Sequence, residues 1–314
     1  DRAAQMVRQA WAEKDWSVDL TTVDGNGQNR YLVWPFILDG LPTILFGAGG
    51  LGKTFLALSM AKAVAEDGVY LGVQCDIANV LYVDYEARAI DVKQRLSRLG
   101  MEELQRVTYW PGRGRPLSEM AVALERLIRE RNIRLLVIDS AALACGGDPK
   151  EEHVATHYFN ALAKLGVASL TIAHITKDAK DQHAPYGSIF WSNSARATWN
   201  VRGSEDADNP KCLGLFNTKA NEDKRHKAIG IEMEFSAEGV SIRKVDLSPE
   251  LMRHQSLMTQ LRRMLDAGQQ SVRSLAEETD SSEETIGRTL RRARWAVRLD
   301  KSGDGTYNWG VLDG

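Results

Sequence analysis

Apolar residues recur along this chain with two different periods, and the switches between them mark its elements. Near the start, Ala3, Met6, Val7, Ala10 and Trp11 fall at helical spacing, and the run Asp24-Gly25-Asn26-Gly27 reads as a turn. From about residue 31, short apolar runs alternate with helical segments. Strands are predicted at 42–46, 80–83, 107–110, 135–138 and 169–172, and helices at 55–65, 88–99, 117–131 and 151–164. Wholly apolar strands separated by helices predict a parallel sheet covered on both faces. After residue 196 the helices stop, and 198–201, 212–218, 229–235 and 240–245 follow one another as strands, predicting an antiparallel extension of the sheet. Ser248-Pro249 marks a boundary. Beyond it, 251–267, 272–278 and 282–295 are predicted helices, and 298–300 and 306–309 flank Asp304-Gly305 as a hairpin. The expected organisation is an N-terminal helix and linker over 1–30, an α/β domain over 31–247, and a small domain over 248–314.

Charge narrows the range of partners. Forty Lys and Arg against forty-two Asp and Glu leave a net charge of −2 in 314 residues, so any nucleic-acid contact has to be local. Cys75, Cys145 and Cys212 are scattered without a CxxC pair, which speaks against a zinc cluster or a disulfide framework and for a reducing cytoplasm. His153 and His157 stand four apart on a predicted helix, but Val154 occupies the place where a zinc-protease motif needs glutamate. No apolar run approaches the roughly 20 residues of a membrane span, so no membrane partner is expected. A start at Asp1 is expected of a trimmed chain or of a piece of something longer.

One octapeptide sets the chemistry. Gly47-Ala48-Gly49-Gly50-Leu51-Gly52-Lys53-Thr54 is a GxxxxGKT phosphate loop, placed between a predicted strand and a predicted helix. Glycine lets the backbone N–H groups turn inward around the phosphates, Lys53 supplies positive charge, and Thr54 offers its hydroxyl to Mg²⁺. ATP with Mg²⁺ is the expected ligand. The apolar run 135–138 ends in Asp139, the form of a strand that holds Mg²⁺ beside such a loop. The next residue is Ser140, where many ATPases keep a water-activating glutamate, so the general base has to come from elsewhere. Glu86 follows the strand at 80–83 and would project at the same sheet edge, with Asp84 as its competitor. Between Lys177 and Trp191, the basic Lys177 and Lys180 precede Phe190 and Trp191, a mixture suited to single-stranded DNA. The same aromatics could equally return to the core from a surface loop.

This phosphate loop, Glu86 after the next strand, Asp139 without its own glutamate, and Ala173-His174-Ile175-Thr176-Lys177 after a later strand together resemble RecA-like ATPases. Within that class the set is most similar to the plasmid RepA-type hexameric replicative helicases and their phage relatives, over about 31–245, and Gly187-Ser188 followed by Arg196 resembles them too. The resemblance implies a RecA-like P-loop core, a ring of subunits (a hexamer by preference), and a loop of Lys177 and Lys180 facing the central channel. It implies that His174 senses the γ-phosphate and that Lys219 or Arg225 reaches a neighbour's nucleotide. The Lys-x-Arg spacing of DnaB-type helicases is broken, because Asn221 stands where Arg is needed.

The C-terminal helices and hairpin resemble a winged helix. On the third helix Ile286, Leu290 and Ala293 share one face, and Arg288, Arg291 and Arg292 lie opposite, an arrangement suited to duplex DNA, although winged helices also dock proteins. Two functions are thus expected in order: a DNA-dependent, ring-forming ATPase motor of the replicative helicase type, or an ATP-dependent DNA-binding switch that loads or regulates a partner without unwinding.

Overall fold

Alternate residues of a strand face opposite sides of a sheet, and a computed structural model of the chain shows what covers each side. It describes residues 19–22, 31–101, 104–175, 184–203, 210–253, 256–301, 303 and 305–312. Contacts divide the chain into Asp1–Arg30 and Tyr31–Gly314. In the first unit the described residues form a single 3₁₀ turn, Leu20–Thr22, closed by the Asp19 carboxylate accepting from the Thr21 amide at 2.9 Å. The helix and turn predicted around residues 3–11 and 24–27 lie outside the described residues.

The second unit opens with a small hairpin, β1 (Tyr31–Val33) and β2 (Ile37–Leu38), before β3 (Pro42–Gly47) and α1 (Lys53–Lys62), which continues into one π turn. A short β4 (Val69–Tyr70) and β5 (Val73–Gln74) pair precedes β6 (Asn79–Asp84), α2 (Ala89–Arg98), β7 (Val107–Pro111), α3 (Leu117–Glu130) and β8 (Ile133–Asp139). Then follow α4 (Ala141–Ala144), α5 (Glu152–Leu165), β9 (Ala168–His174) and α6 (Ile189–Ser194). Strands β10 (Ala197–Gly203), β11 (Lys211–Ala220), β12 (Ile229–Phe235) and β13 (Val240–Val245) complete one nine-stranded sheet of order β13-β12-β11-β10-β3-β9-β8-β6-β7. The fold is thus α/β, with a mainly parallel sheet flanked by helices and an antiparallel extension.

The antiparallel extension begins one strand later than the pattern predicts. β10 lies parallel to β3, because the segment after β9 returns the chain to the starting edge of the sheet, where the Arg196 amide bonds the Pro42 carbonyl at 2.8 Å. Only β11 to β13 run antiparallel.

Alternation then builds two cores. Leu45, Val80, Tyr82, Leu135 and Val137 face the side covered by α1 and α2, whereas Phe46, Leu81, Val83, Leu136 and Ile138 face α3 and α5. All ten are buried to within 1%. At ~25 cal/mol per Å² of apolar surface, each such side chain stabilises the fold by about 1.5–3 kcal/mol before entropy is charged against it.

After β13 come α7 (Pro249–Met252), α8 (Leu257–Ala267), β14 (Gln270–Ser271), α9 (Val272–Thr279), α10 (Glu283–Arg292) and the hairpin β15 (Ala296–Lys301) and β16 (Tyr307–Val311). The single helix predicted over 251–267 is two helices. The first ends at Met252, and Ser256 caps the second, its hydroxyl accepting from the Thr259 amide at 3.3 Å. Ser271 and Ser282 cap α9 and α10 in the same way, and Leu261, Leu265, Leu275, Ile286, Leu290 and Trp309 form a separate apolar cluster among these elements.

Candidate functional site

The phosphate loop is made by close packing at the end of β3. A Cβ on Gly47 would strike the carbonyl of Val201 on the neighbouring β10, and Gly52 sits at φ 80°, which a side chain rarely tolerates. From Gly52 the chain enters α1, whose first-turn amides and dipole point at the loop. Lys53 is folded back into the cradle, donating to the carbonyls of Gly47 at 2.9 Å and Ala48 at 2.6 Å. Burial pulls its ammonium down to about 8, against the opposing pull of Asp139 and Glu86. Lys211, at the start of β11, braces the loop from outside by donating to the Gly50 carbonyl at 2.7 Å. No motif points to Lys211; the antiparallel return of β11 brings it there.

Three carboxylates gather beside the loop. Asp84 and Asp139 end adjacent strands in register. One oxygen of Asp139 accepts from the Thr54 hydroxyl and from the Tyr82 hydroxyl, both at 2.9 Å. Asp139 is pushed up to about 6, first by burial and then by Asp84 and Glu86, while the two hydroxyls hold it down. Thr54 and Asp139 together offer hard oxygen ligands at one point of the cradle, a donor set that fits Mg²⁺. Tyr82 escapes sequence reasoning because it stands in an otherwise apolar strand; a ring with a polar tip two residues before Asp84 is the available signal.

Asp84 has a different task from Glu86. Its carboxylate accepts from the amides of Glu86 and Ala87, both at 2.7 Å, so it builds the turn after β6. That turn delivers Glu86 to Ser140, whose hydroxyl donates to the Glu86 carboxylate at 2.6 Å. The Asp139–Ser140 peptide is cis. His174 lies in register with Gly47 at the exposed end of β9, and partial burial, then the Lys53 charge, lower its pKa.

The remaining expected residues separate into three groups. Lys177 and Lys180 lie outside the described residues. Trp191 is corrected from a DNA contact to a core residue: it is 1% exposed, lies 5.0 Å from the Tyr158 ring, and donates its indole N–H to the Pro149 carbonyl at 2.9 Å. Phe190 is half-buried against the same core, which leaves little ring for a base. Lys219 is corrected from a projecting finger to a cap, because its ammonium donates to the carbonyls of Ser192, Asn193 and Ala195 at 2.7–2.8 Å, neutralising the end of α6. Arg225 is exposed between β11 and β12. On α10, Ile286 and Leu290 are buried while Arg288, Arg291 and Arg292 are exposed, with Arg288 bonded to Glu284 at 2.6 Å.

Residues 10–180, more than half of the chain, match the family described as AAA domain. The chain belongs to this family. Its structure is similar to that of a KaiC-like protein from the hyperthermophilic archaeon Pyrococcus horikoshii OT3, with a TM-score of 0.52 and 18% identity over 70% of this chain and 99% of that one. At that identity the likeness shows the fold alone, and the fold is RecA-like. No curated protein matches the sequence. The chain is thus a P-loop ATPase of the RecA-like class, and no helix among its described residues is long and apolar enough to cross a membrane.

Proposed function

We propose that this ATPase hydrolyses ATP with Mg²⁺ as a ring-forming, DNA-dependent motor of the RepA-type replicative helicase kind, working in the cytoplasm. The observation that carries hydrolysis is Glu86 held by Ser140 beside the Thr54–Asp139 pair, a carboxylate placed to take the proton of an attacking water. Lys53 would leave the loop carbonyls to countercharge the phosphates, and Thr54 and Asp139 would hold Mg²⁺, which would supply neutralisation of the charge developing there. His174, level with the first loop residue, passes the state of the γ-phosphate to the segment that follows. Arg225 takes the trans-acting role, since Lys219 is engaged elsewhere. Lys177 and Lys180 supply contacts to single-stranded DNA. The C-terminal elements act as a winged-helix-like module with Arg288, Arg291 and Arg292 toward duplex DNA.

Burial of Trp191 favours a second reading, because it removes a stacking platform that a translocating loop would use. In that reading the chain is an ATP-dependent switch that loads or regulates a replication or recombination partner without unwinding. A strand-displacement assay with ATP, run beside native mass measurement with an ATP analogue, separates the two. Unwinding by a ring supports the motor, whereas DNA-stimulated hydrolysis without displacement supports the switch. Lys53→Ala is the control, expected to abolish hydrolysis and weaken nucleotide binding while leaving the fold intact.

A further inference from the structure

A cavity of about 780 Å³, lined by no residue of the phosphate loop, opens between the late strands of the sheet and the C-terminal helices. Its size is that of a small-ligand site. Its charge is anomalous for a chain of net −2: Arg202, Arg225, Lys227, Arg262 and Arg263 line it against a single carboxylate, Asp266. That carboxylate is already bonded by Arg262 at 2.9 Å. Among the described residues, Arg225, Lys227 and Arg263 form no salt bridge, so three cations line the space without a carboxylate partner.

Each wall also carries an aromatic ring under a guanidinium. Arg262 stands 4.9 Å over Trp295 on the C-terminal side, and Arg202 stands 5.5 Å over Phe216 on the sheet side. The N-terminus of the eleven-residue α8, capped by Ser256, opens onto the same space and adds its positive end. The sheet-side wall is braced. His226, between Arg225 and Lys227, bonds the Tyr31 hydroxyl at 3.0 Å and stacks on Trp199 with ring centroids 6.0 Å apart.

From cations, the part-exposed Trp295 ring and a helix N-terminus around one cavity of this volume, we infer that it is a second binding site for a nucleotide unit, phosphate on Lys227 and Arg263 and base against Trp295. The unit belongs either to a single strand passing between the sheet and the C-terminal module or to a free mononucleotide. Arg225, which also lines the cavity, keeps its proposed trans-acting role and is left intact in the test, so failure of this site leaves the ATPase reading untouched.

The test uses the full chain carrying Lys177→Ala and Lys180→Ala, so that the other expected strand-binding lysines are silent. A fluorescein-labelled thymidine decamer is titrated by anisotropy at several salt concentrations, with and without Lys227→Glu and Arg263→Glu, and basal ATPase activity, expected unchanged, reports the fold. The charge reversals should weaken the decamer about tenfold or more and flatten the salt slope by roughly 0.7 for each phosphate no longer neutralised. Ultraviolet crosslinks of the decamer should map to the peptide containing Trp295, which keeps the proposal testable if a variant folds poorly. Thymidine monophosphate that displaces the decamer at one site per chain assigns the free nucleotide, and a decamer that resists it assigns the strand. No binding of either, affinity unchanged by both reversals, or equal displacement by polyglutamate overturns the proposal.

Discussion

Ser140 donates a 2.6 Å hydrogen bond to Glu86, joining the residue directly after the metal-side aspartate to a carboxylate from a different strand. The usual arrangement places aspartate and base on one strand end; here β8 supplies the aspartate and a hydroxyl, and β6 supplies the carboxylate. Asp84 completes the division by fixing the turn that presents Glu86. In the proposed reading, this bond compensates in space for the glutamate that Ser140 replaces. A serine cannot replace a base, but it can orient one.

Two variants should separate the base from its holder. Glu86→Gln should bind ATP yet hydrolyse it roughly 10²–10⁴-fold more slowly, the range for loss of a general base. Ser140→Ala should lower kcat by about tenfold or less with KM nearly unchanged, and Ser140→Thr, which keeps the hydroxyl, should restore most of the loss. Steady-state kinetics decide it. Near-normal turnover of Glu86→Gln would move the base to another carboxylate.

Asp139 predicts a pH dependence with a definite sign. Its folded pKa of about 6 stands above the ordinary 3.8, chiefly through burial. Between those values the folded protein holds a proton that the unfolded chain has released, so this group's contribution is complete below 3.8 and is lost as pH rises through 6. In nucleotide-free protein, Asp139→Asn should therefore be more stable than the parent at pH 7, by at most about 3 kcal/mol, and should converge on it near pH 4. Urea midpoints across that range test this, and parallel curves would reject it.

Much of the core was legible because its signals are local. The glycines and Lys53-Thr54 lie between an apolar run and a helical one, and β6 and β8 each end in carboxylates after unbroken apolar residues. What was not legible depends on distant packing. Trp191 looks like a loop aromatic until Tyr158 and Phe159 of α5 close over it. Tyr82 reads as one more apolar strand residue until Asp139 arrives beside it. Lys219 meets its three carbonyls more than twenty residues away, which a charge run cannot announce.

Lys219 offers a discriminating experiment. As a cap on α6 its loss strands three carbonyls, so Lys219→Ala should cost stability, about 1–2 kcal/mol, while leaving most ATPase activity in the folded fraction. A finger would behave otherwise, with hydrolysis falling by about 10³-fold at unchanged stability. Arg225→Ala is expected to show the second pattern. Rescue of Arg225→Ala subunits by Lys53→Ala subunits, which keep their Arg225, would place the arginine in trans.

The arginines of α10 can be removed without touching what holds that helix. Ile286 and Leu290 face inward and are fully buried, whereas Arg291 and Arg292 are exposed and Arg288, among the described residues, is engaged only with Glu284 one turn back. Such a surface pair contributes at most about 1 kcal/mol, so replacing all three arginines by alanine should leave the fold and basal ATPase activity intact. Duplex binding should nevertheless weaken, and its salt slope should fall by about 0.9 for each phosphate no longer neutralised. Single-strand stimulation, assigned to Lys177 and Lys180, should survive. Duplex affinity and salt slope both unchanged in the triple variant would turn the C-terminal module from a DNA-binding element into a surface for a protein partner.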